Sequence, residues 1–164
     1  MPGDNPAAWV APAIVKASDE AVLATVLDQR FDMRRAALFD TAARVTSQKL
    51  TALPDASPIR PTVTRYDPGY IEVELDRPAT AGAALVVSEN YYPAWTATVD
   101  GKPATIGRAD LSLIGVALPE GSRKIVLTYG RSTFRHGVLI TVVALLAVLA
   151  MIGGGVALER RPHE

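Results

Sequence analysis

The residue types that carry chemistry are sparse in this chain, and most stand alone. Asn90-Tyr91-Tyr92-Pro93-Ala94-Trp95 is the one aromatic concentration, with three of the ten aromatic residues. An aromatic ring offers an apolar face with a polar edge, a combination suited to stacking on sugars or to closing a core. Trp95 starts an alternating run, Trp95-Thr96-Ala97-Thr98-Val99, whose odd positions share the more apolar face, so its indole is expected to turn inward. Tyr91 and Tyr92 precede the Pro93 turn, and for them a glycan contact and a packing role both stand. Asp100 and Asp110 are the carboxylates considered as proton acceptors, with Asp100 assigned to a turn together with Gly101. His136 and His163 have no metal-ligand spacing. No strand-Ser-helix elbow or phosphate-binding glycine loop is present, because Gly153, Gly154 and Gly155 sit inside an apolar run. Neither a catalytic residue, a cofactor nor a metal is expected.

Composition narrows the partners. The 164 residues carry 17 Lys+Arg and 17 Asp+Glu, interleaved, so no basic stripe exists for a nucleic-acid backbone. With no cysteine there is no disulfide framework and no thiolate chemistry, and the fold must rest on burial. Gly137 to Leu158 is uncharged over 22 residues. As a helix it would span about 33 Å, enough for a hydrocarbon core of about 30 Å, and it is expected to cross the lipid bilayer once. Within it Ala150 with Gly154, and Gly153 with Ala157, form small-xxx-small pairs suited to close helix packing. The opening MPGDNPAAWV lacks the basic and apolar regions of a signal peptide, so none is expected. Arg123, Lys124, Arg131 and Arg135 before the apolar run outnumber Arg160 and Arg161 after it, which by local charge favours the globular part inside.

The elements that must position these residues read as mainly β. Residues 1–58 are expected to form a strand-helix-strand part of the globular domain. Trp9 to Ala17 is an edge strand or lead-in broken by Pro12, and Ser18 caps a helix with the stripe Val22, Leu23, Val26, Leu27. Ala36 to Phe39 is a second short strand. Residues 59–134 are expected to form an antiparallel β-sandwich. Thr62 to Tyr66 and Ile71 to Leu75 flank Asp67-Pro68-Gly69, with Glu72 and Glu74 toward water. Leu85-Val86-Val87 reads as a central strand, and Asp100-Gly101 as a two-residue hairpin tip. Ile114 to Leu118 and Lys124 to Tyr129 complete the set. The transmembrane helix at 137–158 and a polar tail at 159–164 follow.

The stretch SENYYPAWTATVDGKPATIGRADLSLIGVALPEGSRKIVLTY, Ser88 to Tyr129, followed by an Arg-Ser-x-x-Arg-x-Gly entry into the apolar run, resembles the C-terminal end of the YfhO family of bacterial multi-pass membrane proteins. Tyr91, Tyr92, Pro93, Trp95, Val99, Asp100 and Gly101 match the family's Tyr-Tyr-Pro-Gly-Trp and Val-Asp-Gly. Ala94 replaces the glycine, which favours a type I turn there. The family is similar to glycosyltransferases that use lipid-linked sugar donors, with an extracytoplasmic β-rich domain near the C-terminus. The resemblance therefore implies a globular part outside the cell membrane, against the local charge count. It also implies a multi-span membrane bundle and a cell-envelope glycan as partners. The segment in which such enzymes keep their catalytic carboxylates has no counterpart in this sequence, so the chain resembles a non-catalytic terminal domain, truncated or separately encoded. The alternative is a stand-alone, tail-anchored interaction module unrelated to glycosylation.

Overall fold

The computed structural model describes residues 7–130, with Leu145 the one further described position. Met1–Tyr129 and Gly130–Glu164 are separate compact units. The expected span Gly137 to Leu158, its small residues Ala150, Gly153, Gly154 and Ala157, and His136 and His163 lie outside the described residues, Leu145 apart. Among the described residues no helix is long and apolar enough to cross a membrane.

Eleven strands and one helix are described in the first unit: β1 (Ala8–Ala11), β2 (Ile14–Ala17), α1 (Asp19–Val26), β3 (Ala37–Asp40), β4 (Pro61–Asp67), β5 (Tyr70–Leu75), β6 (Ala84–Asn90), β7 (Trp95–Val99), β8 (Lys102–Ala104), β9 (Ile106–Ala109), β10 (Leu113–Ala117) and β11 (Lys124–Tyr129). They form two sheets, ordered β1-β6-β10-β9-β3-β2 and β4-β5-β11-β7-β8. Alternation decides which face is buried. Ile71, Val73 and Leu75 of β5, Trp95, Ala97 and Val99 of β7, and Ile125 and Leu127 of β11 point between the sheets. Leu85, Val87, Ile114 and Val116 meet them from the first sheet. Glu74 is exposed, whereas Glu72 on the same outer face is covered by Lys124 Nζ at 2.6 Å and by the Tyr70 hydroxyl, which donates at 2.8 Å. The Lys124 ammonium, then the Tyr70 hydroxyl, hold the Glu72 carboxyl below the usual range.

The first sheet is buried on both faces, so β6 reads Leu85-Val86-Val87 without polar interruption. Its second face encloses a smaller core around Phe39, built from Trp9, Ala11, Ile14, Ala37, Ala84, Val86 and Ala109. This core exists because the sheet curls. β1 and β2 occupy opposite edges, which in a flat six-stranded sheet would lie about 24 Å apart at about 4.8 Å per strand. Only Pro12 and Ala13 join them, a link of at most about 11 Å at about 3.8 Å per Cα step. Two positions against the Phe39 ring, Gly107 and Gly115, have no room for a side chain. A Cβ placed on Gly115 would stand 2.4 Å from the Phe39 ring and 2.8 Å from Ala109 Cβ.

Three features depart from the sequence reading. The sheets are not antiparallel throughout, because β2 and β3 pair in parallel with Ile14 opposite Ala37, and α1 is the crossover between them. Trp9 to Ala17 is two strands, since the Pro12 break is the point where the chain passes from one sheet edge to the other. The stripe on α1 is half used. Val22 is buried, while Leu23 and Leu27 face solvent, because this eight-residue crossover meets β3 along one narrow line. Its N-terminus is capped by Ser18, whose Oγ accepts from the Ala21 N–H at 3.4 Å.

Candidate functional site

Local turn chemistry positions the aromatic segment. β6 ends at Asn90, and the backbone N–H of Tyr91 donates to Ser112 O at 2.7 Å, fixing the segment to the β9–β10 turn. The N–H of Trp95 donates to Tyr92 O at 3.0 Å, closing a turn over Pro93 and Ala94. Among the described residues, positive φ outside glycine occurs only at Asp100, Asp110 and Leu111, so Ala94 keeps a negative φ, as a type I turn requires. Trp95 is 7% exposed and meets the Tyr129 ring edge-on, centroids 5.3 Å apart at 72°.

The fold sends the two adjacent tyrosines to different surroundings. Tyr92 is 54% exposed. Tyr91 is half-buried against the sandwich core and lines a cleft of about 440 Å³ with Asp40, Arg44, Thr105, Gly107 and Arg108. Arg108 is the organising cation of this cleft. Its Nη2 donates to Asp19 at 2.6 Å, its Nε to Asp40 at 3.3 Å, and its Nη1 to Leu111 O at 3.1 Å. Those bonds tie α1, β3 and the β9–β10 turn together. The Asp19 carboxylate, then Asp40, raises the Arg108 pKa above its ordinary value. Arg44 makes no ion pair among the described residues. A tyrosine ring, a guanidinium that is not consumed and a threonine hydroxyl supply an apolar face together with hydrogen-bonding groups. Only Tyr91 of this group was legible in sequence. Asp40, Arg44, Thr105 and Arg108 come from segments far apart in the chain, and no local spacing links them.

The two carboxylates considered as acceptors have structural partners. Asp100 and Gly101 take φ of +49° and +77°, the two left-handed positions of a type I′ hairpin joining β7 to β8. Asp100 also accepts backbone N–H bonds from Lys124 at 2.9 Å and Arg123 at 3.2 Å, so the tip is pinned to β11. Asp110 is 5% exposed and bonds Leu38 twice: its N–H donates to Leu38 O at 2.8 Å, and its Oδ1 accepts from Leu38 N–H at 2.9 Å. Its Oδ2 is buried without a partner among the described residues. Burial pushes the Asp110 carboxyl up to about 6, against the opposing pull of the Leu38 N–H.

A two-sheet β domain with one crossover helix, carrying the Tyr-Tyr-Pro-x-Trp turn and the Asp-Gly hairpin, defines the class. The sequence matches the family described as bacterial membrane protein YfhO over residues 37–141, more than half of the chain. The chain belongs to the YfhO family. The matched stretch opens at β3 and takes in every later strand, whereas β1, β2 and α1 precede it. No curated protein and no solved structure matches the chain.

Proposed function

We propose that this domain is a non-catalytic, extracytoplasmic part of a YfhO-family membrane protein engaged in cell-envelope glycosyl transfer, anchored by Gly137 to Leu158 and contacting an acceptor glycan or polymer. The observation that supports this reading best is the Tyr91 cleft, which sets an aromatic ring beside Arg44, Thr105 and the Asp40–Arg108 pair. The carboxylates near it are already engaged: Asp40 and Asp19 by Arg108, and Asp110 by the β3 backbone. They hold the fold and leave recognition to Tyr91 and Arg44. Tyr92 lies outside the cleft lining, so Tyr92→Ala is the control.

The test is binding of cell-envelope oligosaccharides to the full chain in vesicles, compared among wild type, Arg44→Ala and Tyr92→Ala. Loss of binding in Arg44→Ala with an unchanged melting temperature supports the reading; wild-type binding in that variant refutes the cleft. The same vesicles, given a polyprenyl-linked sugar donor, are expected to show no glycosyl transfer. Transfer that disappears in Asp110→Asn would overturn the non-catalytic assignment. A second reading, a tail-anchored interaction module, is favoured by the exposed Leu23 of α1 and Leu27 at its C-cap, one turn apart. Under that reading Leu27→Glu abolishes association with a protein partner and glycan binding is absent.

A further inference from the structure

The fold gathers all of the chain's tyrosines at one end of the sandwich, a distribution invisible in the sequence. The five are spread from position 66 to position 129. Tyr66 and Tyr70 flank the β4–β5 turn, Tyr91 and Tyr92 follow β6, and Tyr129 is the last residue of β11. Register brings these places together. Tyr70 lies opposite Thr128 and Tyr129 opposite Trp95. The Tyr66 hydroxyl donates to Glu89 across the two sheets, and Tyr91 is bonded to the β9–β10 turn. Tyr66, Tyr92 and Tyr129 are 63%, 54% and 40% exposed, so the end presents rings to its surroundings.

Both passages of the described chain lie at this same end. Ala7 O accepts from the Ser88 N–H at 2.9 Å, beside the end of β6, and the Tyr129 N–H donates to Gly69 O at 2.9 Å before the chain continues to Gly130. Seven residues, Gly130 to His136, separate Tyr129 from the uncharged run at Gly137. Fully extended they reach less than about 30 Å. They include Arg131, Arg135 and His136, residues that reach lipid headgroups readily. Two of the acidic groups at this end are partnered: Asp67 with Arg65 at 2.6 Å, and Glu89 with Tyr66.

We infer that the tyrosine-bearing end of the sandwich is a lipid-docking surface, with Tyr66, Tyr92 and Tyr129 seated at the headgroup level of the bilayer. Tyrosine suits that depth because its ring is apolar and its hydroxyl stays wet. The inference rests on the membrane-anchored reading above. It places the opposite end, with the Asp100-Gly101 hairpin and the Pro119–Gly121 turn, away from the lipid by the length of the seven-residue β6, roughly 20 Å at about 3.3 Å per residue.

Because the chain has no cysteine, one introduced thiol takes a label uniquely. The full chain carrying Asn90→Cys or Glu120→Cys, each with an environment-sensitive fluorophore, is reconstituted into phosphatidylethanolamine and phosphatidylglycerol vesicles bearing a headgroup quencher. The label at position 90 is expected to lose most of its emission and the one at position 120 almost none. Tyr66→Ser with Tyr92→Ser is expected to restore emission at position 90 while the chain still floats with the vesicles. Floating chain with equal emission from both labels, as a glycan or protein covering this end would give, overturns the docking alone. So does quenching at position 90 that the double variant leaves unchanged. Chain that does not float overturns the anchored reading, and the docking with it.

Discussion

Replacing Asp110 by Asn is expected to make the domain more stable at neutral pH, although it alters a buried, hydrogen-bonded residue. The Asp110 carboxyl is 5% exposed, and its pKa is raised from 3.8 to about 6, chiefly by burial. A raised carboxyl pKa means that the folded state binds the proton more tightly than the unfolded state does. Folding is therefore favoured below the unfolded value, and stability is lost as pH rises from about 4 to about 6. A shift of roughly two units at about 1.4 kcal/mol each amounts to about 3 kcal/mol lost by pH 8. The asparagine side chain would keep the Oδ1 acceptor for the Leu38 N–H and would carry no charge, and asparagine tolerates the left-handed φ of +46° at this position. Its amide nitrogen would be unpartnered in place of Oδ2, a cost that the protonated acid shares at low pH. Asp28, Glu72 and Asp76 bend the curve the other way. Their pKa values are lowered by Arg30, by Lys124 and by the Arg60 backbone N–H respectively, so their stabilisation is lost as pH falls below about 4 in both proteins. The assay is urea unfolding of the full chain in detergent, followed by the emission of Trp9 and Trp95, both buried in the folded domain. The variant is expected to exceed wild type by about 3 kcal/mol at pH 8, with the two curves converging toward pH 4. A variant less stable than wild type at pH 8, or a difference that does not change with pH, refutes the reasoning.

Trp95→Ala is expected to cost roughly 3 to 5 kcal/mol through lost burial and a cavity beside Tyr129, whereas Tyr92→Ala moves the melting temperature little; urea unfolding of both checks this. Gly115→Val forces a branched side chain into the Phe39 ring and is expected to lose at least about 1 to 3 kcal/mol, part of which Phe39→Leu restores in the double variant. Gly101→Val meets nothing within 4 Å, so its loss of about 1 to 2 kcal/mol is backbone strain alone, and Gly101→Asn is expected to lose less.

What the sequence determined by itself is what acts over a few residues. The Ser18 cap, the alternation from Ile71 to Leu75, the apolar run Leu85-Val86-Val87 and the Asp100-Gly101 tip each follow from a backbone preference or a side-chain period, and each is where the residues put it. The strands β8 and β9 escaped that reading because Lys-Pro-Ala and Ile-Gly-Arg-Ala carry neither an apolar run nor a strand-forming composition. Tertiary structure decided the rest. The parallel pairing of β2 with β3 and the curl around Phe39 depend on whether small residues at positions 37, 84, 109 and 115 converge, a condition of packing and not of propensity. The Tyr91 cleft needs Arg108 to reach Asp19 and Asp40, 89 and 68 positions away, and Asp110 Oδ1 meets the N–H of Leu38, 72 positions earlier, only once the strands have paired. Nothing local encodes such meetings, because closing a loop of that length depends on the pairing of whole strands, which the burial of both sheet faces makes favourable.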